Sequence, residues 1–142
     1  MKKTKKFCSL LLAVLSMCLF FSLPSYAALP DDNIVAPQWD NIAGVNSNLG
    51  FGTNPASAFG TVVKKLASDW MEGTVTVYVN EGGDWFVVSS AYNSTTGMTL
   101  AVNTEFVAIP GKEYKAVFNA TVYKDGVGES VVKTVTKTCP SN

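Results

Sequence analysis

No histidine occurs in the 142-residue chain, and this limits what its other polar residues could do as chemistry. Ser-His-Asp and Cys-His nucleophile systems need an imidazole to take the proton, and nearly all zinc sites need one as a ligand. A Ser–Lys nucleophile needs a buried lysine. The seven lysines beyond the N-terminal segment all fit positions on solvated faces. Carboxylate pairs could run glycoside hydrolysis, one acting as acid and the other as base or nucleophile. The local clusters are Asp31-Asp32, Asp69 with Glu72, and Glu81 with Asp84. Each falls in a leader, loop or turn, where a solvated acid is the ordinary state. No loop has the spacing of Asp and Asn oxygens that marks a calcium site. The expectation is no catalytic residue, no cofactor, no metal, and a protein that is not an enzyme.

The aromatic residues carry more information. Tyr78, Trp85 and Tyr92 lie in one stretch, Gly73–Tyr92, that reads as a β-hairpin. Val75, Val77 and Val79 alternate with Thr74, Thr76 and Tyr78, so the valines face a core and the others face outward. Gly82-Gly83 supplies the positive φ of a two-residue turn. That turn pairs Glu81 with Asp84, Val79 with Phe86 and Val77 with Val88, and puts these last four on the inner face. Tyr78 then lies opposite Val87, and Asn80 opposite Trp85, on the outer face. Tyr78, Trp85, Val87 and Tyr92 are the expected binding face, suited to a glycan or another protein. The competing reading is that a neighbouring strand or the N-terminal leader covers these rings. Trp39 and Trp70 lean toward burial, Trp39 anchoring the leader and Trp70 plugging one end of the fold.

These residues need a sheet to hold them. Trp39–Phe51 holds a first strand. Phe59–Leu66 is a second; Val62, Lys64 and Leu66 share its parity, which suggests an edge position or a bulge. A helix across Ala56–Met71 is the alternative, from the spacing of Phe59, Val62, Val63, Leu66 and Trp70. Gly60, Thr61 and the valine pair weigh against it. After a turn at Asn93–Gly97, Met98, Leu100 and Val102 alternate in another strand, and Thr104–Ile109 is a short extended piece. Ile109–Gly128 is a turn, a long strand and a hairpin turn, with Tyr114, Ala116, Phe118, Ala120 and Val122 on one apolar face. A two-residue turn at Asp125-Gly126 would pair Phe118 with Lys133 and bring a charge toward the core. A three-residue loop, Lys124–Gly126, pairs Phe118 with Val132 and is the expected register. About seven short strands, frequent turn signals and no convincing helix give an all-β fold: an immunoglobulin-like, antiparallel two-sheet sandwich.

Pro110-Gly111-Lys112-Glu113-Tyr114, followed by Ala116, Phe118 and Ala120, resembles the corner and F strand of fibronectin type III domains. That resemblance implies that the Tyr114 hydroxyl bonds back to the preceding loop, with Pro110, Gly111 and Tyr114 as a structural corner. Gly73–Val88 is similar to the C–C′ hairpin of the same domains. The likeness covers about half of the chain beyond residue 27. It departs in having no Trp in the second strand and a longer run from Val102 to Pro110. Pro37–Trp39 and Lys137–Pro140 resemble the opening and end of small secreted single-domain proteins of Gram-positive bacteria. Those proteins are of unknown function, so that likeness implies a compartment and a fold only.

Compartment follows from the first 27 residues. Lys2, Lys3, Lys5 and Lys6 precede an apolar run, Leu10–Leu23, and Ser25-Tyr26-Ala27 fits a cleavage site. This is a secretory signal peptide. A lipobox at Leu15–Cys18 is disfavoured by the bulk of Met17 and the apolar run beyond the cysteine. The expected organisation is signal 1–27, extended leader 28–38, sandwich domain 39–138 and C-terminal tail 139–142, in a secreted, extracellular protein. Beyond the signal, seven Lys face 11 acidic residues with no Arg, a net −4 that offers no basic footprint for nucleic acid. No further apolar run is long enough to span a membrane. Cys139 is the cysteine left after cleavage. It is expected to be an exposed free thiol, able to link two chains in a disulfide dimer. The functional expectation is a secreted, non-catalytic β-sandwich for binding or adhesion, with a secreted protein inhibitor or antimicrobial-type effector as the alternative.

Overall fold

The computed structural model describes residues 39–52 and 55–141. The expected signal 1–27 and leader 28–38 lie outside the described residues. Seven strands follow one another among the described residues: β1 Ile42–Gly50, β2 Ala56–Lys64, β3 Trp70–Glu81, β4 Asp84–Thr95, β5 Thr99–Phe106, β6 Glu113–Lys124 and β7 Val127–Thr138. They form two antiparallel sheets, one ordered β1-β2-β5 and the other β4-β3-β6-β7. The fold is an all-β, two-sheet sandwich.

Alternation of side chains builds it. β3, β5 and β6 bury every second residue, and their apolar sets meet in the core between the sheets. Val75, Val77, Tyr114, Ala116, Phe118 and Val122 are all buried there. Both hairpin turns are two residues long. Gly82 and Gly83 take φ of 67° and 103°, and Asp125 and Gly126 take 51° and 78°. Positive φ at both central residues matches the right-handed twist of the flanking strands.

Several expectations are corrected. Residues 56–64 are strand, not helix, and β2 is the central strand of its sheet rather than an edge. The irregularity lies in β1, between Ile42 and Gly44. Lys64 points inward beside Val62 and is only 4% exposed, so it is not a solvated lysine. Its ammonium donates to the carbonyls of Ser68 at 2.8 Å and Asp69 at 2.6 Å, which is what allows a charge at an inward position. In the first hairpin, Val79 pairs with Phe86, Tyr78 with Val87 and Asn80 with Trp85 as expected, but Val77 pairs with Ser89. Val88 is the extra residue of a bulge. Phe86 and Val88 are exposed rather than inner, because β4 is an outer strand of the larger sheet.

The second hairpin takes the register that charge had argued against: Lys124 pairs with Val127, and Phe118 with Lys133. No burial cost arises, because β7 is an edge strand and Lys133 remains exposed. The odd residues of β7 face the β1 side of the other sheet. Glu129 accepts the N–H groups of Asp40, Asn41 and Ile42 at 2.9, 2.7 and 3.2 Å. Lys137 donates to Asn48 Oδ1 at 2.9 Å and the Leu49 carbonyl at 2.7 Å. Inward charges on an edge strand also discourage pairing with another chain.

Cys139 is buried, not exposed. Pairing continues past β7: the Cys139 N–H donates to the Lys112 carbonyl at 2.8 Å, and its own carbonyl accepts from Gly111 at 2.9 Å. The side chain therefore keeps the inward parity of Val131 and Val135. A thiol so placed does not support a disulfide dimer. Among the described residues, no helix is long and apolar enough to cross a membrane.

Tyr114 is buried, and the Ile109 N–H donates to its hydroxyl at 2.8 Å. Gly111 in this corner has φ of 78°, a backbone turn that glycine makes without strain. Tyr114→Phe leaves the Ile109 N–H without its acceptor and should lower unfolding free energy by about 1–2 kcal/mol. An unchanged denaturant midpoint would show that water replaces the hydroxyl.

Candidate functional site

The pleat that sends the valines of β3 inward turns Trp70, Glu72, Thr74, Thr76, Tyr78 and Asn80 outward. Register adds Trp85, Val87, Ser90 and Tyr92 from β4. From β6 come Lys115, Val117, Asn119, Thr121 and Tyr123. This is the outer face of the four-stranded sheet, and its aromatic residues gather in two places.

At the end nearest the Gly82-Gly83 turn, Tyr78 and Trp85 flank Lys115. The ammonium lies 4.1 Å from the Trp85 ring centroid and 5.3 Å from that of Tyr78. Both rings are half-buried, while Val87 beside them is 60% exposed. Asn80 braces the turn: its Oδ1 accepts from the Gly83 N–H at 2.9 Å, and its Nδ2 donates to Glu113 Oε2 at 2.9 Å.

At the other end Trp70 stacks on Tyr123, with centroids 4.2 Å apart and planes within 7°. Trp70 is 37% exposed, so it lies on the face rather than plugging the sandwich. The Tyr123 hydroxyl donates to Glu72 Oε1 at 2.8 Å, and the Tyr92 hydroxyl donates to Glu72 Oε2 at 2.9 Å. Tyr92 is 62% exposed. No family model matches the chain, and no curated protein matches it.

The expected site residues are thus on one face but in two groups. Tyr78, Trp85 and Val87 come together. Tyr92 joins Glu72, Trp70 and Tyr123, about 13 Å along the strands from Tyr78 by its register opposite Thr74. Trp70 and Asn80 are ten residues apart on β3 and Trp85 lies opposite Asn80, so the face runs about 33 Å between its outermost aromatics. Sequence reasoning missed Lys115, Tyr123 and Glu72. The odd parity of Lys115 and Tyr123 on β6 was a signal that both point outward. What was missing was that β6 lies beside β3.

Asp31-Asp32 lies outside the described residues, and Asp69 and Glu72 have partners of other kinds. Asp69 Oδ2 accepts the Asp125 N–H at 2.8 Å, and Glu72 is taken up by the two phenols. Glu81 and Asp84 face each other across an exposed turn. Among the described residues, no three of His, Cys, Asp and Glu gather as metal ligands.

The hydrogen bond to Glu72, then desolvation and the nearby Glu72 charge, hold the Tyr123 phenol above its ordinary value of 10.0. A raised folded-state value stabilises the fold fully below the unfolded value, and that contribution is lost as pH climbs through the folded one. Unfolding midpoints should therefore fall as pH rises past about 10, and the fall should be smaller in Tyr123→Phe. Equal slopes for both proteins would mean that the Glu72 contact does not persist in solution.

Proposed function

We propose that this chain is a secreted, non-catalytic β-sandwich that works by binding, with the outer face of the four-stranded sheet as its contact surface. The observation that carries this reading is a long face with aromatic groups at both ends, on which Tyr92 and Val87 are well exposed. Exposed aromatics gathered on one face are uncommon unless a ligand or partner uses them. Secretion is supported by the basic and apolar segments and the small residues of positions 1–27. A fibronectin type III-like classification is supported by the Tyr114 corner and by the β3–β4 hairpin lying beside the strand that starts there.

Trp85→Ala and Trp70→Ala test the reading together. A glycan array and a panel of immobilised extracellular proteins supply the ligands, and denaturant melts measure the fold. Each substitution should cost about 2 kcal/mol of binding, the scale of a central aromatic contact. Stability should change by less than that. A stability loss of about 3 kcal/mol or more at Trp85 would place that ring in the fold rather than on a contact surface, and the reading would fall.

A further inference from the structure

Glu72, Glu113 and Lys115 are the charged residues of the outer face away from its turns, and both acids have partners. Lys115 is different. Among the described residues its ammonium makes no hydrogen bond or ion pair; its contacts are the rings of Trp85 and Tyr78. An ammonium has three donors. The rings hold its charge in place but accept none of them in a conventional hydrogen bond. One end of the face therefore presents a cation held between two aromatic groups, with the Glu113 carboxylate two residues along the same strand and bonded to the Asn80 amide. The strip beyond this end is lined by Thr76, Val117, Thr74, Asn119 and Thr121, with Tyr92 of β4 opposite Thr74, and it ends at Trp70 and Tyr123.

Aromatic rings stack on the C–H faces of sugars, and hydroxyl and amide groups bond to sugar hydroxyls. An ammonium recognises a carboxylate as a point charge. We infer that the face binds an extended polysaccharide carrying carboxylates, a polyuronate, and that Lys115 selects acidic over neutral sugars. This inference rests on the binding reading above. A protein partner fits the layout less well. Protein interfaces concentrate their aromatic anchors near the centre, whereas here only Tyr92, opposite Thr74, lies near the middle and the other four rings sit at the two ends, about 33 Å apart from Trp70 to Trp85.

The test is affinity gel electrophoresis of the protein in gels containing polygalacturonate, its methyl ester, dextran or dextran sulfate. The ester has the same sugar backbone without the charge. Retardation by polygalacturonate should exceed that by the ester about tenfold and weaken with salt. Lys115→Met, which keeps the aliphatic stem, should reduce it about tenfold, while Lys133→Met leaves it unchanged. A thermal melt confirms that both variants fold. Equal retardation by acid and ester overturns the inference, and so does retardation by polyanions that Lys115→Met does not alter. Retardation by none of the four polymers overturns it too. The wider binding reading is decided separately, by the stability of Trp85→Ala and the two ligand panels.

Discussion

Phe118→Ala should lower the unfolding free energy by about 3–5 kcal/mol, the range for deleting a buried aromatic side chain. Phe118 is fully buried in the middle of β6. Its ring fills space left by two glycines, Gly60 of β2 in the facing sheet and Gly73 of the neighbouring β3. A methyl group on Gly73 would come within 2.9 Å of the ring and 3.0 Å of Leu100. Backbone therefore lines much of the pocket, and hydrogen-bonded strands have little freedom to collapse into a cavity. Chemical denaturation gives the value directly. A loss below about 1.5 kcal/mol would show that the two sheets close over the gap.

Gly60→Ala should be costly for the opposite reason. A methyl group there would overlap the Phe118 ring itself. The ring already lies close to Gly73 on another side, which limits where it can move. Overpacking of this kind costs about 1–3 kcal/mol and more where nothing yields; the upper end, about 3 kcal/mol, is the expectation here. The paired change decides the cause. In a Phe118→Leu background the added methyl should cost at least 1 kcal/mol less, because contacting residues couple on about that scale. Additive costs would mean that Gly60 is needed for its backbone and not for the room it leaves.

Neither contact was legible in the sequence, although both partners were. Phe118 belonged to a plain alternation, and Gly60 served as an argument against a helix. That the two meet depends on which strands face each other across the core. The strands themselves were readable because Val75, Val77 and Val79, or Tyr114 through Val122, have a period that only a half-buried strand satisfies. The errors came where one rule stood in for geometry. Lys133 was kept out of register with Phe118 on the premise that every inward position is covered, and an edge strand breaks that premise. Lys64 looked like an irregularity because the carbonyls of Ser68 and Asp69, which accept from it, lie in a loop of no recognisable pattern. Cys139 looked like tail because no local signal announces its pairing with Lys112. Of the candidate face, the hairpin half followed from one turn and one alternation. The Trp70, Glu72 and Tyr123 half needed the β3–β6 pairing, which is a long-range fact.

The contacts of Glu129 and Lys137 also bear on how the sandwich carries a mechanical load. Glu129 near the start of β7 grips the start of β1, and Lys137 near its end grips the end of β1. The first and last strands therefore run side by side in the same direction. Trp39 and Cys139 leave them at opposite ends of the sandwich. Tension applied at those two points draws β1 and β7 past each other lengthwise, loading the grips at both ends at once. They must then break together in shear rather than unzip one after another.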